Sequence, residues 1–161
     1  MLRSGADKVA INTAAIARPE LITAVARRFG AQCMVLSVEA KRNGPGRWEA
    51  YTDNGREHTG RDVLEWIDEA VGRGAGEVLL TAVDQEGTRK GLDIELLEAV
   101  NRKVNVPVII SGGFGDVQDL KRASDVGASG IAIADALHWQ RTTLAQIKQQ
   151  QAHALGLEVR L

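Results

Sequence analysis

The sequence predicts an α/β fold in which helices alternate with the strands of a parallel sheet. Three observations predict it. Five short apolar runs are continuous rather than alternating, as expected of strands covered on both faces. Segments with helical spacing separate them. A glycine-headed motif recurs where each helix gives way to a strand.

The strands are predicted in order at Lys8-Val9-Ala10-Ile11-Asn12, Cys33 to Val38, Glu77 to Thr81, Pro107 to Ser111 and Gly130 to Ala134. Between the first two, Leu21, Val25 and Phe29 recur every four residues, and Pro19 suits a first helical turn. Val63, Trp66, Ile67 and Val71 mark a second helix opened by Thr59 or Gly60. Ile94, Leu97 and Val100 mark a third, Val117, Leu120 and Ala123 a fourth, and Leu144, Ile147 and Ala152 a fifth. Gly5-Ala6-Asp7, Gly30-Ala31-Gln32, Gly74-Ala75-Gly76 and Gly127-Ala128-Ser129 head four copies of one α–turn–β module, with Asn105-Val106-Pro107 as a variant. Strands joined through helices form right-handed crossovers, hence a parallel sheet. One connection is longer. Lys41 to His58 carries Asn43-Gly44-Pro45-Gly46 and Asn54-Gly55 around an alternating stretch, which predicts a small β-hairpin inserted after the second strand.

Composition narrows the function classes. The chain has 161 residues, 44% of them hydrophobic, enough for one domain with a sizeable core and too few for two. Lys and Arg number 20 against 21 Asp and Glu, which argues against nucleic-acid binding by bulk electrostatics. The single cysteine, Cys33, cannot form an internal disulfide, so a reducing cytoplasm is the expected compartment. No apolar run approaches the roughly 18 residues of a membrane span. The opening residues carry no apolar core of a signal peptide. His58, His138 and His153 do not cluster with Cys or carboxylates at ligand spacing, so neither a metal nor another cofactor is expected.

Two architectures use such modules, the doubly wound open sheet and the closed (βα)8 barrel. A dinucleotide fingerprint is missing after the first strand, which runs into Asn12-Thr13-Ala14. The glycine cluster Ser111-Gly112-Gly113-Phe114-Gly115 follows the fourth predicted strand, and Ala134-Asp135 follows the fifth. Barrels commonly cradle a phosphate on backbone N–H groups after their last two strands. The same glycines read equally well as structural turns.

Lys8 to Ala14, Glu39-Ala40-Lys41-Arg42, Gly74 to Thr81, Asp84-Gln85-Glu86-Gly87-Thr88 and Ile110 to Gly113 run in order along the chain. In these stretches it resembles the cyclase subunit of imidazole glycerol phosphate synthase, a lyase of histidine biosynthesis. The resemblance implies a partial TIM (βα)8 barrel of about five strands. Residues 1–161 then form a single incomplete domain, from about the fourth strand to the eighth helix of the full barrel. It also implies a chemistry, in which ammonia from a glutaminase attacks a two-phosphate ribulosyl-formimino carboxamide ribotide at the C-terminal face. Cyclisation and cleavage then give imidazole glycerol phosphate and an aminoimidazole carboxamide ribotide.

By the same resemblance, two aspartates at the ends of the full barrel's first and fifth strands act as general acid and base. The second falls on Glu39, a Glu where the family has Asp, and the first would lie before this chain begins. Thr81, Asp84, Glu86 and Gly87 would hold the substrate, with Glu86 again standing for an Asp. Asn12 and Thr13 match one phosphate site, and Ser111, Gly112, Gly113, Ala134 and Asp135 the other. Asp135 stands where the family has Ser or another neutral residue. An Asp there suits a helix N-cap, and it would compete with a phosphate for the same N–H groups. Lys8 and Glu77 would belong to a charged ring gating the ammonia entrance, with Asp7 touching the glutaminase. Each has a plainer reading as well: Glu39 as a solvated carboxylate beside Lys41 and Arg42, Asp84 to Gly87 as a polar turn, Lys8 and Glu77 as a structural ion pair.

A five-stranded piece of a barrel leaves two strand edges and an apolar face uncovered, which invites self-association, pairing with the absent N-terminal segment or rearrangement into an open sheet. The expected partners are thus a phosphorylated small molecule, a glutaminase and another barrel segment, with no nucleic acid and no membrane. An isolated chain of this kind is expected to be inactive or only partly active. Two other functions fit the same residues. One is a paralogous amidation or sugar-isomerase enzyme on the same phosphate-binding scaffold. The other is a non-catalytic phosphate-binding half-barrel.

Overall fold

In a computed structural model, residues 1–152 and Gly156 are described. The first modules are β1 (Val9–Ile11), α1 (Thr13–Ala17), α2 (Glu20–Phe29) and β2 (Met34–Gly44). An antiparallel arm of β3 (Arg47–Thr52) and β4 (Glu57–Asp62) follows. The modules resume with α3 (Val63–Gly72), β5 (Glu77–Ala82), α4 (Ile94–Lys103) and β6 (Val108–Ser111). They end with α5 (Gln118–Asp125), β7 (Gly130–Ala132), the short α6 (Asp135–His138) and a π-type segment, Gln146–Ala152.

Among the described residues, all strands join one seven-stranded sheet in the order β4-β3-β2-β5-β6-β7, with β1 also paired to β2. β1, β2, β5, β6 and β7 are mutually parallel, so their C-terminal ends share one rim. β5 occupies one edge of β2 over residues 35–40, which leaves the other edge to β1 at residues 34–36 and to β3 from Glu39 onward. Among the described residues, the outer edges of β1 and β7 carry no further strand.

Burial departs from the expected two-faced cover. Leu36, Val38, Ala40, Val78, Leu80, Ala82, Val108 and Ile110 are buried, whereas Ser37, Glu39, Leu79, Thr81, Ile109 and Ser111 between them are only half-buried. Side chains alternate across a pleated strand, so helices cover one face and the other is partly open. The covered face packs Trp66 and Ile67 of α3 and Leu96, Leu97 and Val100 of α4 over the sheet. Each such fully buried side chain contributes roughly 1.5–3 kcal/mol relative to exposure.

Three local expectations change. β4 runs through Thr59 and Gly60, so α3 opens instead at Asp62, whose carboxylate accepts from the N–H groups of Leu64 (2.9 Å) and Glu65 (3.1 Å). β2 is longer than expected and continues through Lys41 and Arg42 to pair with β3. The final helical segment takes π spacing from Gln146 onward, and of the residues expected on its buried face Ile147 is buried and Leu144 is 52% exposed. His153 lies outside the described residues.

Candidate functional site

Strand register lines up the rim. Glu39 sits opposite Thr81, Thr81 opposite Ser111 and Ser111 opposite Ala132, giving one row across four parallel strands on the open face. β3 extends the row on the other side, with Tyr51 opposite Glu39. The backbone then turns over the row after each strand, at Asn12-Thr13, Val83-Asp84, Gly112-Gly113 and Ile133-Ala134.

Glu39 is half-buried, and its Oε2 accepts from the Gly55 N–H at 2.7 Å in the β3–β4 turn. The plain reading of Glu39 as a solvated partner of Lys41 and Arg42 does not describe these contacts. Lys41 lies over the Tyr51 ring at 4.6 Å, and Arg42 stacks on Trp48 and reaches Asp93 and Glu95. Burial pushes the Tyr51 hydroxyl up, and the nearby Glu49 charge adds to the shift. Asn12 Nδ2 donates to the Tyr51 carbonyl at 3.0 Å, and the buried Asn12 Oδ1 has no hydrogen-bond partner.

The glycine loop is built so that only glycine fits. Gly112 has φ +94°, and a Cβ there would lie 2.4 Å from the Ala82 carbonyl oxygen. Gly113 has φ +93°, a Cβ would lie 2.3 Å from the Gly91 oxygen, and its own carbonyl accepts from the Gly91 N–H at 2.9 Å. Asp119, 1% exposed, braces the far side of this loop. Its carboxylate accepts from the N–H groups of Gly115 (2.8 Å) and Asp116 (3.2 Å), and Arg122 neutralises it. A narrow pocket is lined by Glu86, Gly87, Ser111, Gly112, Gly113, Ala134 and Asp135, so these predicted residues are brought together.

Asp135 differs from expectation. It is the first residue of α6, Ala134 takes the cap position, and no side-chain cap bond forms. Arg141 holds the Asp135 carboxylate in an ion pair. A guanidinium offers a charged partner that outcompetes a backbone N–H, so the carboxylate is drawn away from the helix terminus. Asp84 is exposed and accepts from the Arg42 N–H at 3.2 Å rather than lining the pocket. Thr13 Oγ1 faces the Asp53 N–H at 3.5 Å, on the other side of the rim.

At the opposite end of the strands, Lys8 and Glu77 form an ion pair, and Asp7 is exposed nearby in sequence. Sequence reasoning missed Gly55, Tyr51, Asp119 and Arg141, as well as Asp93. Asp93 carried a readable signal, since an Asp directly before a helical apolar period is a capping residue. It accepts from Leu96 N–H (3.0 Å), Trp48 Nε1 (3.0 Å) and Arg42.

Comparison with known proteins finds similar sequences along nearly the whole chain. A family described as histidine biosynthesis protein matches residues 1–143. The imidazole glycerol phosphate synthase subunit HisF of Gluconacetobacter diazotrophicus is 47% identical over 160 residues, covering 99% of this chain and 62% of that protein. The subunit of the same name from Legionella pneumophila is 61% identical over 119 residues, covering 74% of this chain and 56% of that protein. That of Streptococcus sanguinis is 45% identical over 162 residues, covering 100% and 64%. The chain therefore spans less than two thirds of the length of these curated relatives.

Proposed function

The chain belongs to the histidine biosynthesis protein family, and from that premise we propose that it is the fourth-strand to eighth-helix portion of a (βα)8 barrel with cyclase chemistry. The substrate is a two-phosphate ribulosyl-formimino carboxamide ribotide, the nitrogen donor is ammonia from a glutaminase, and the product is imidazole glycerol phosphate. The row Glu39–Thr81–Ser111–Ala132 beside the Gly112-Gly113 loop carries this reading. It sets a carboxylate and an anion-holding backbone on one open rim.

In this reading Glu39 transfers protons at the reacting centre, and Thr81 orients substrate hydroxyls beside it. The backbone around Ser111, Gly112, Gly113 and Ala134 holds one phosphate with Glu86 and Gly87 at its border. The Asp135–Arg141 pair supports that role, because a carboxylate already neutralised repels the anion less. Asn12 and Thr13 hold the second phosphate, and Asp84 orders the loop that leads to Gly87. Lys8 and Glu77 gate ammonia entry from the opposite end, where Asp7 meets the glutaminase.

The uncovered edges of β1 and β7 support a need for further strands, from a second copy of this chain or from the part of the barrel that its relatives carry in addition. Ammonia-dependent turnover, assayed with this chain alone and with the N-terminal barrel segment of the Gluconacetobacter relative added, tests the reading. Turnover appearing or rising at least tenfold on addition is expected. No turnover in either mixture, with phosphate esters still bound at the Gly112-Gly113 loop, would replace it with a non-catalytic phosphate-binding module. Glu39 and Glu86 standing for aspartates favour one further alternative, a paralogous amidation or isomerase enzyme on the same scaffold. Turnover of a different phosphorylated substrate would establish that one.

A further inference from the structure

We infer that Gly55 is a positioning residue, whose backbone N–H fixes the Glu39 carboxylate through a turn strapped across the rim. The inference rests on the reading of Glu39 as the proton-transfer group. Glutamate carries one more methylene than aspartate, so its carboxylate samples more positions, and proton transfer tolerates little misplacement. The Gly55 N–H holds Oε2 at 2.7 Å, which removes that freedom.

The turn itself is over-determined. Asp53, Asn54 and Gly55 have φ of +52°, +57° and +74°, three consecutive left-handed residues of which two are not glycine. Such backbone persists only where its surroundings enforce it. The Arg56 N–H closes the turn on the Thr52 carbonyl at 3.1 Å, and Asn12 Nδ2 ties the preceding Tyr51 carbonyl to the end of β1. Val83, just past β5, packs beneath Gly55 so closely that a Cβ would lie 2.5 Å from its Cγ1. Three strand ends thus grip one turn, and the turn's free N–H points at one carboxylate.

Two measurements on the full chain decide this. In the first, amide hydrogen exchange at Gly55 is followed by NMR in the unaltered protein, Glu39→Gln and Glu39→Ala. Glutamine keeps an acceptor oxygen at the same reach, so Gly55 exchange is expected to stay within about twofold, while Glu39→Ala speeds it roughly tenfold. Equal exchange in Glu39→Ala and the unaltered protein overturns the clamp. In the second, Val83→Ala is compared with Gly55→Ala/Val83→Ala, the shared valine change making room for the new Cβ. The double variant is expected to lose about tenfold in kcat with KM within about twofold, as misplacement of a proton-transfer group requires. An unchanged kcat, or a loss confined to KM, overturns the positioning role. Absence of turnover in the unaltered protein, even with the added barrel segment, overturns the proposed activity and with it the catalytic purpose of the clamp. The exchange result still reports separately whether Gly55 holds Glu39.

Discussion

Leu36, Val38, Ala40 and the even-numbered positions of β5 and β6 lie under helices, whereas the odd-numbered positions from Ser37 onward face a more open surface. Leu36, Val38, Leu80 and Ile110 are fully buried, while Glu39, Leu79, Thr81 and Ser111, one residue away, are half-buried. The two faces share a backbone and a hydrogen-bond ladder, yet one carries the packing and the other carries the candidate chemistry. Stability and function should therefore respond to different substitutions only a few ångströms apart.

The largest effect tests that separation directly. Leu80→Ala removes a fully buried side chain and is expected to cost about 3–4 kcal/mol in urea denaturation, whereas Leu79→Ala is expected to cost about 1 kcal/mol or less. Similar losses at both positions would mean that both faces are covered in solution. The difference between faces would then belong to the isolated chain only.

Asp93 comes next, because it ties the covered side to the β2–β3 arm. It is 7% exposed and serves Arg42, Trp48 and the first turn of α4 at once. Asp93→Asn keeps the shape but turns an acceptor into a donor facing other donors. A loss of about 2 kcal/mol is expected from the same denaturation curves. A change near zero would show that these donors find other acceptors.

The strands were legible in the sequence and their division into a covered and an open face was not, for a physical reason. Val35-Leu36, Leu79-Leu80 and Ile109-Ile110 are apolar at both alternating positions, so local composition marks a strand without saying which side has helices over it. Cover is a property of the whole sheet, set by how many strands close around it. The same limit applies to the site. Glu39, Thr81 and Ser111 were found from their motifs, and register then placed them in one row. The bonds Glu39–Gly55 and Asp135–Arg141, as well as the brace that Asp119 gives the glycine loop, are side-chain choices within short loops. No periodicity encodes such choices. Asp135 read as a capping residue for that reason, since nothing local says that Arg141 will claim it.

In the helix layer, Asp119 offers a way to perturb the loop that presents the candidate phosphate site. Asp119→Ala frees the N–H groups of Gly115 and Asp116 and loosens the loop that presents Gly112 and Gly113. Titration with inorganic phosphate, followed through the amide signals of Gly112 and Gly113, is expected to show affinity weaker by about three- to tenfold, close to 1 kcal/mol. Unchanged affinity would mean that the loop keeps its shape without the brace, and that the tight glycine contacts alone define it.

The smallest effect belongs to Glu49, half-buried in the β3–β4 arm, where β3 places it opposite Lys41. The Gly60 N–H, 2.9 Å away, holds the Glu49 carboxyl below its ordinary value of 4.5. Burial opposes this, and His58 adds to it. A carboxyl with a depressed value in the folded protein stabilises fully at pH above 4.5, and that contribution fades as the pH falls through the folded value. Glu49→Gln should therefore be less stable than the unaltered chain at pH 7, by under about 1 kcal/mol for a half-buried carboxylate at the edge of the sheet. The gap should close towards pH 3. A gap that stayed constant across this range would locate the Glu49 effect in the shape of the β3–β4 arm, because only the charge titrates. A gap that widened on acidification would reverse the sign that the Gly60 bond imposes.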